Sequence, residues 1–205
     1  MEDGGPQSRQ RLRSEVGDAM KVRPGDIIRI RDLTTVNDDA IRVPDPTQLT
    51  HLQFRRFAGC PICGLHLRSV AARHREIAAA GIREVVLFHS TPWELRTYEG
   101  DLPFDVVADP DKQLYKEFGL ETSLRGVLDP RTSAPVLQAK FRRAGAKRAP
   151  RSAGKPVHPT GGRLGLPADI LIDHTGKVIA CKYGTHAYDQ WSVDELLELA
   201  ATATH

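Results

Sequence analysis

Two cysteines in the stretch "GCPICGLHL" are the residues of this chain best suited to chemistry. Cys60 and Cys63 are separated by Pro-Ile and lie between an apolar, strand-like run and a helix-like run. Two thiols at this spacing can close an intramolecular disulfide, supply half of a metal site, or pack as two small core side chains. The rest of the sequence decides among these three interpretations.

A metal site needs more ligands than the pair supplies. Zinc and iron–sulfur sites are held by about four protein ligands, but only Cys181 and scattered histidines remain, and Cys181 has no neighbouring ligand at metal spacing. The proline between the two cysteines and their place at a helix start argue against two inert core thiols. We therefore predict a redox-active dithiol, with no metal and no bound cofactor.

Cys60 is the predicted nucleophile. A helix that begins at Pro61 supplies free N–H groups and the positive end of its dipole at Cys60, and both favour the reactive thiolate. Cys63 follows one turn later on the same helix face and is the predicted resolving thiol. Pro61 contributes rigidity to the turn between them.

Arg56 and His89 are candidates for supporting roles. Alternation along the strand points Arg55 and Arg56 to opposite sides, so one of them, for which we take Arg56, can stabilise the Cys60 thiolate. His89 ends the run "VVLFH", at the sheet edge where sites gather in open α/β folds, and can move a proton for Cys60 or the leaving group. The alternatives are a surface arginine and a hydrogen-bonded histidine at a strand end.

Five other side chains have less certain roles in the sequence. Trp93 and Trp191 are expected to pack in the core, and Cys181, in the second strand of a hairpin, is expected to be structural. The sequence leaves open whether His66 faces the dithiol or the helix exterior. It also leaves open whether His186 approaches the dithiol or holds the last helix.

Composition and the N-terminal sequence limit the class of protein. The 205 residues are 40% hydrophobic, which is enough to fill one core. The N-terminal 20 residues are polar and the longest apolar runs are strand-sized, so we expect a cytoplasmic protein without a membrane anchor. In a reducing compartment, three cysteines are too few and too odd in number for a disulfide framework, which again favours catalysis.

The positive charge of the chain is concentrated in one segment. Residues 130–168 contain nine lysines and arginines and no acid, which leaves 20 bases and 26 acids elsewhere. Apart from Phe141 this segment has no interleaved aromatic residue, and it contains no nucleic-acid motif. We therefore expect a solvated loop or a lid beside the site, and no nucleic-acid partner.

The elements that must position the dithiol alternate between strand and helix, which indicates a largely parallel sheet covered on both faces. Asp109 is the expected N-cap of one helix, and Ser192 forms a capping box with Glu195 in another. In chain order, we predict a flexible segment over 1–24, a hairpin around 37–38, a strand over 49–57, a helix over 61–80, a strand over 83–90, a short helix over 91–100, a strand and a helix over 104–119, a basic insertion over about 131–163, a hairpin turning at 174–176 and a final helix after 192.

Three blocks of the sequence, "FRRFAGCPICGLHLRSV", "LPADILIDHTGKV" and "YGTHAYDQWSVDELL", together resemble one family. They are similar to the peroxiredoxin-like, CxxC-containing members of the AhpC/TSA branch of the thioredoxin superfamily, and the resemblance spans residues 25 to 202. It implies an α/β, thioredoxin-like fold with a central mixed sheet flanked by helices, forming a domain over 25–205. It also implies that Pro167 is the cis proline that lies against the dithiol in that superfamily.

The sequence departs from the PxxxTxxC signature of peroxiredoxins, because Gln53 and Phe57 replace its proline and threonine. The resemblance implies a thiol-dependent oxidoreductase in which Cys60 attacks a hydroperoxide or a disulfide and Cys63 resolves the product. A thioredoxin-like or low-molecular-weight thiol would recycle the pair. Two alternatives remain open, a protein disulfide reductase without peroxidase activity and a redox-responsive binding module, and a homodimer is one option for the assembly.

Overall fold

The structure is a computed structural model that describes residues 21–120 and 159–203. The predicted N-terminal segment up to residue 20 and the predicted basic insertion up to residue 158 lie outside these residues. The strands are β1 (Arg31–Thr34), β2 (Ala40–Val43), β3 (Leu49–Arg55), β4 (Ile82–Phe88), β5 (Asp105–Ala108), β6 (Ala168–Ile172) and β7 (Val178–Tyr183). The helices are α1 (Pro61–Ala72), α2 (His74–Ala79), α3 (Pro92–Glu99), α4 (Gln113–Glu117) and α5 (Val193–Ala203).

Strand β3 lies at the centre of a five-stranded mixed sheet with the order β5-β4-β3-β6-β7. β3, β4 and β5 run parallel, whereas β6 runs antiparallel to β3 and to β7. The mixed sheet implied by the resemblance is confirmed, and the hairpin β6–β7 is the reason that the sheet is not largely parallel. Since parallel strands end at one edge, the residues that follow β3, β4 and β5 meet there.

Local signals placed two other elements correctly. The hairpin predicted around residues 37–38 is the antiparallel pair β1–β2, with Asp38 at φ +68° in the turn. The capping box before α5 is present, because the Ser192 N–H donates to Glu195 Oε2 at 2.7 Å and the Glu195 N–H donates to Ser192 Oγ at 3.2 Å. At the other end of the described chain, Val22 is buried and its N–H donates to the Tyr183 hydroxyl at 2.8 Å.

The helix predicted over 61–80 is two helices, α1 and α2, separated at Arg73. Arg73 leaves the helical conformation, with φ −113° and ψ 15°. Its guanidinium donates to Glu76 at the start of α2 and to Asp194 at the start of α5. The break therefore lies at Arg73, whose ion pairs connect it to both α2 and α5.

The Asp109 side chain caps helix α4, although the residue at the N-cap position is Lys112. The helix starts after Lys112, whose φ of +57° is left-handed, and not directly after Asp109. The Asp109 carboxylate nevertheless accepts hydrogen bonds from the N–H groups of Gln113, Leu114 and Tyr115 at 2.8 to 3.3 Å. The capping chemistry was predicted correctly, but the helix begins three residues later than expected.

The prediction of a cis peptide bond before Pro167 is wrong. Within the described residues, the cis bond joins Val43 and Pro44. The unusual backbone conformation near Pro167 is found instead at Gly165, where φ is +150° and only glycine is unstrained. Pro167 directly precedes β6, and its peptide bond with the residue before it is trans. The Pro167 carbonyl accepts the Gly184 N–H at 2.9 Å.

A cluster of buried polar side chains lies on one face of the sheet. Residues 51, 53 and 55 alternate along β3 and therefore point to the same side. One ion pair within this group joins Arg55 Nη2 to Asp169 Oδ1 at 2.6 Å, with both side chains fully buried. This polar cluster consists of His51, Gln53 and Arg55 of β3, Glu84 of β4, Asp169 of β6 and His66 of α1.

The two histidines of the polar cluster have opposite charge states. Burial alone would lower the pKa of His51, but the charges and hydrogen bonds of Glu84 and Asp169 raise it to about 9. Burial and the positive charge of Arg55 lower the pKa of His66 to about 3. His51 is therefore protonated at neutral pH and His66 is neutral, so that His51 and Arg55 together balance the two carboxylates.

We predict that Asp169→Asn destabilises the protein by about 3–5 kcal/mol, because it leaves Arg55 and His51 buried without their shared carboxylate. The matched control is Asp32→Asn, which breaks an ion pair to Arg42 that is largely exposed and should cost at most about 1 kcal/mol. Urea unfolding measures both. Equal losses in the two variants would contradict a structural role for the polar cluster.

Candidate active site

Cys60 and Cys63 lie where β3 gives way to α1. Cys60 is the N-cap of α1 and Pro61 occupies its first turn, as the sequence predicted. The preceding Gly59 has a φ of +71°, a conformation that glycine adopts without strain, and it allows the tight entry into the helix. Both thiols are free, and Cys60 is only 2% exposed whereas Cys63 is fully buried.

The two thiols have opposite ionisation tendencies. The pKa of Cys60 lies below its ordinary value, and the neighbouring Cys63 thiol, as a hydrogen-bond donor, is the largest cause. Burial opposes the shift, while the charge of Arg56 and the backbone N–H groups of Cys63 and Ile62 add to it. The interaction with Cys60, together with burial, raises the pKa of Cys63. The pair is therefore one thiolate and one thiol.

Arg55 and Arg56 point to opposite sides, as alternation predicted. Arg55 belongs to the polar cluster, while Arg56 lies on the side of the dithiol and is 5% exposed. Arg56 Nη2 donates to the Arg163 carbonyl at 2.6 Å, and its guanidinium lies over the Phe57 ring at 5.3 Å from the centroid. These contacts hold a positive charge near Cys60.

His89 follows β4 and lies next to Arg56, whose carbonyl accepts the His89 N–H at 3.1 Å. The imidazole is buried beside the Tyr115 ring, and neither ring nitrogen has a hydrogen-bond partner among residues 21–120 and 159–203. Burial lowers the pKa of His89 to about 4, and the charges of Lys112 and Arg56 add to this effect. His89 is therefore a neutral imidazole at physiological pH, with one nitrogen that can donate and one that can accept.

Residues 159–165, which we call the covering loop, pack on Arg56 and His89. The Thr160 N–H donates to Glu94 Oε1 at 3.0 Å. Gly161 lies so close to His89 that a Cβ atom would be 1.9 Å from its carbonyl oxygen, so no larger residue fits there. The covering loop includes the C-terminal end of the predicted basic insertion, and this part of the insertion lies beside the site.

Glu99 is a residue of the site that sequence reasoning missed. It is the last residue of α3, is 8% exposed, and its Oε1 accepts the Gly59 N–H at 2.9 Å. Burial raises the pKa of Glu99 to about 7, and the negative charge of Cys60 contributes to the increase. The available signal was helical spacing, because Glu99 follows the buried Leu95 by four residues and so shares its inward face.

Two histidines considered from the sequence have other roles. His66 Nε2 lies 3.2 Å from Arg55 Nη2, so His66 belongs to the polar cluster and not to the helix exterior. His186 Nδ1 accepts the Tyr188 N–H at 3.3 Å in the turn before α5. No group of three or more histidine, cysteine or acidic side chains that could hold a metal ion occurs in residues 21–120 and 159–203.

Trp93 is 70% exposed, so the prediction that it packs in the core is wrong. It lies in the first turn of α3, on the helix face opposite the buried Leu95 and Glu99. Trp191, by contrast, is buried as expected. Cys181 is half-buried, and its thiol donates to the Val22 carbonyl at 3.3 Å.

Comparison with known proteins shows the family to which this chain belongs. The model of the AhpC/TSA antioxidant enzyme family matches residues 69–186, more than half of the sequence. The chain belongs to the AhpC/TSA family. The matched segment starts after the dithiol, so it does not include Cys60 and Cys63. No curated protein matches the sequence.

Solved structures show the same thioredoxin-like fold at low sequence identity. Peroxidoxin BcpB from Mycobacterium tuberculosis is 14% identical, with a TM-score of 0.61 over 88% of this chain and 97% of that chain. AhpC from the same organism is 12% identical, with a TM-score of 0.61 over 90% and 94%. StoA from Bacillus subtilis is 15% identical, with a TM-score of 0.52 over 83% and 96%. The AhpC/TSA chain is thus an oxidoreductase with a thioredoxin fold. None of the helices in its described part has the length and apolar content needed to cross a bilayer.

We predict that Arg56→Met raises the pH midpoint for alkylation of Cys60 by about one unit, because it removes a positive charge that favours the thiolate. Iodoacetamide rates measured from pH 4 to 10 in a Cys181→Ser background provide the test. Arg75→Met, at an exposed arginine of α2, is the matched control and should leave the midpoint unchanged. A midpoint that is the same in all three proteins would contradict the assignment of Arg56.

Proposed function

We propose that this AhpC/TSA protein is a two-cysteine thiol peroxidase. The observation that supports this most is the pair of free cysteines at the start of α1, of which Cys60 is 2% exposed and Cys63 0% exposed. The pKa of Cys60 is lowered and that of Cys63 is raised, so the pair is asymmetric. A thiolate is the nucleophile that attacks peroxides, and a thiol within hydrogen-bonding distance can resolve the product without a large movement.

The proposed cycle begins with attack of the Cys60 thiolate on one peroxide oxygen. The S–O bond forms, the O–O bond breaks, and the departing alkoxide takes up a proton and leaves as the alcohol. Cys63 then gives up its proton and attacks the Cys60 sulfenic acid, so that the disulfide forms and hydroxide leaves as water. A thioredoxin-like or low-molecular-weight thiol in the cytoplasm would reduce the disulfide with two electrons and would itself be oxidised to a disulfide.

Burial of the dithiol favours a small substrate. A disulfide on the surface of a folded protein must bring one sulfur into line with the attacking thiolate. Cys60 has almost no exposed surface, so such a partner requires the surrounding chain to move, whereas a hydroperoxide group is only two oxygen atoms across. This argument favours the peroxide over the protein disulfide.

We assign to Arg56 and His89 the stabilisation of the negative charge that develops on the peroxide oxygen during the attack. The Arg56 guanidinium stabilises the thiolate and then the departing oxygen anion. The neutral His89 has a buried N–H that finds no partner in the described part of the chain, and pairing it with a substrate oxygen would remove the cost of leaving it unsatisfied. Pro61 keeps the two sulfurs in register. For Pro167 we retain only a supporting position at the start of β6.

A protein disulfide reductase is the second candidate, and the missing signature residues favour it. Gln53 donates to Glu84 in the polar cluster, and Phe57 packs with Cys60 in an apolar cluster. Neither side chain can replace the threonine hydroxyl that orients a peroxide in peroxiredoxins.

We predict that fully reduced protein mixed with hydrogen peroxide or an organic hydroperoxide in a stopped-flow instrument loses two thiols rapidly. Cys60→Ser should abolish the fast phase, because it removes the nucleophile, and Cys63→Ser should keep a fast phase but lose only one thiol. Cys181→Ser is the control and should behave as wild type, since Cys181 packs against Val22.

Peroxide consumption no faster than that of an ordinary free thiol would exclude the peroxidase. Rapid reduction of an insulin or glutathione disulfide by the same protein, abolished in Cys60→Ser, would then identify the disulfide reductase.

A further inference from the structure

A buried carboxyl group lies directly beside the nucleophile. Glu99 Oε1 accepts the N–H of Gly59, the residue before Cys60, at 2.9 Å. Gly59 has a positive φ, and its N–H is thereby fixed by a side chain from a different element, α3. The carboxyl group therefore helps to define the turn that places Cys60 at the start of α1.

The surroundings of Glu99 favour its protonated form. In the described part of the chain, no lysine, arginine or histidine forms an ion pair with it. Among the described residues, the charged groups that act on its pKa are Cys60 and, more weakly, Arg68 of α1. Loss of water on burial and repulsion from Cys60 raise the pKa of Glu99, and together they outweigh the Gly59 N–H hydrogen bond and the charge of Arg68, which lower it.

We propose that Glu99 is a positioning residue that also stores the proton required by the leaving group, and that it releases this proton when Cys60 loses its negative charge. This inference rests on the proposed redox role of Cys60. While Cys60 is a thiolate, repulsion keeps the proton on Glu99. Once Cys60 is neutral, as a sulfenic acid or a disulfide, the repulsion disappears and Glu99 becomes the stronger acid.

The cycle needs one proton beyond the one that Cys63 carries, and a buried acid beside Cys60 can supply it. Conversion of the dithiol and a hydroperoxide to a disulfide, an alcohol and water consumes two protons beyond those carried by the hydroperoxide when both sulfurs start as thiolates. The reduced pair holds only one, on Cys63, since Cys60 is ionised. Cys63 supplies the proton for water, and Glu99 supplies the proton for the alcohol. Glu99 is 8% exposed, so it can regain a proton from solvent in the next cycle.

The first test uses the wild-type chain and needs no peroxide. Protein labelled with ¹³C at glutamate carboxyl groups is titrated by NMR, once fully reduced and once with the Cys60–Cys63 disulfide formed by oxidised glutathione; Glu99→Gln serves only to assign the signal. The Glu99 midpoint is expected near 7 in the reduced protein and measurably lower in the disulfide form, where burial still raises the pKa of Glu99 but the repulsion from Cys60 is absent. Equal midpoints in the two redox states would overturn the proposal.

The second test separates charge from position by the pH profile of Cys60 alkylation. The wild type should show two steps, one for Cys60 and one for Glu99, because the second ionisation makes the thiolate less stable. Glu99→Gln, which keeps an acceptor for the Gly59 N–H but loses the charge, should show a single step. Glu99→Asp should retain two, and Glu198→Gln on α5 is the control with a wild-type profile.

A wild-type profile in Glu99→Gln would contradict proton storage. If that variant does not fold, as judged by circular dichroism, Glu99→Asp and the NMR titration of the wild type decide the question. Neither test depends on turnover of a peroxide. If the Glu99 midpoint depends on the redox state but the protein fails the stopped-flow assay, the peroxidase proposal is excluded and proton storage by Glu99 is still supported.

Discussion

The stabilisation of a thiolate at Cys60 is the constraint on which the site depends. Cys60 is almost completely buried, where an unpaired anion would be costly, and the neighbouring Cys63 thiol, as a hydrogen-bond donor, contributes most to lowering its pKa. The start of α1 supplies two further N–H groups and Arg56 supplies a positive charge, so the anion is stabilised from several directions. Cys63 stays protonated, because burial and its interaction with Cys60 raise its pKa, and the proposed sequence of attack and resolution requires a thiol there.

Strand β3 connects this site to the interior of the protein. Its residue Arg55 points into the polar cluster and pairs with Asp169, while the next residue, Arg56, points to the dithiol. His66 of α1 reaches Arg55, so the helix that carries both cysteines is attached to the central sheet through the same cluster. The balanced buried charges thus lie on one side of β3, and the charges of the candidate site lie on the other.

Features fixed by neighbours in sequence could be predicted, and features fixed by distant contacts could not. Cys60 as an N-cap and the Ser192 capping box follow from residue types a few positions apart. Glu99 meets Gly59 across 40 residues, and Asp169 meets Arg55 across 114, so no local pattern shows that they are partners. Trp93 was expected in the core from its size alone, although its helix buries other residues on its inward face.

The central claim is that Cys60 and Cys63 form one redox unit in this member of the AhpC/TSA family, and peptide mass mapping tests it most directly. Trypsin cleaves after Arg56 and Arg68, which places both cysteines in one peptide. After reduced protein is treated with one equivalent of hydroperoxide and remaining thiols are blocked with iodoacetamide, this peptide should be unalkylated and lighter by two hydrogen atoms. An alkylated peptide of unchanged oxidation state, or a sulfinic acid at Cys60 beside an alkylated Cys63, would contradict the account.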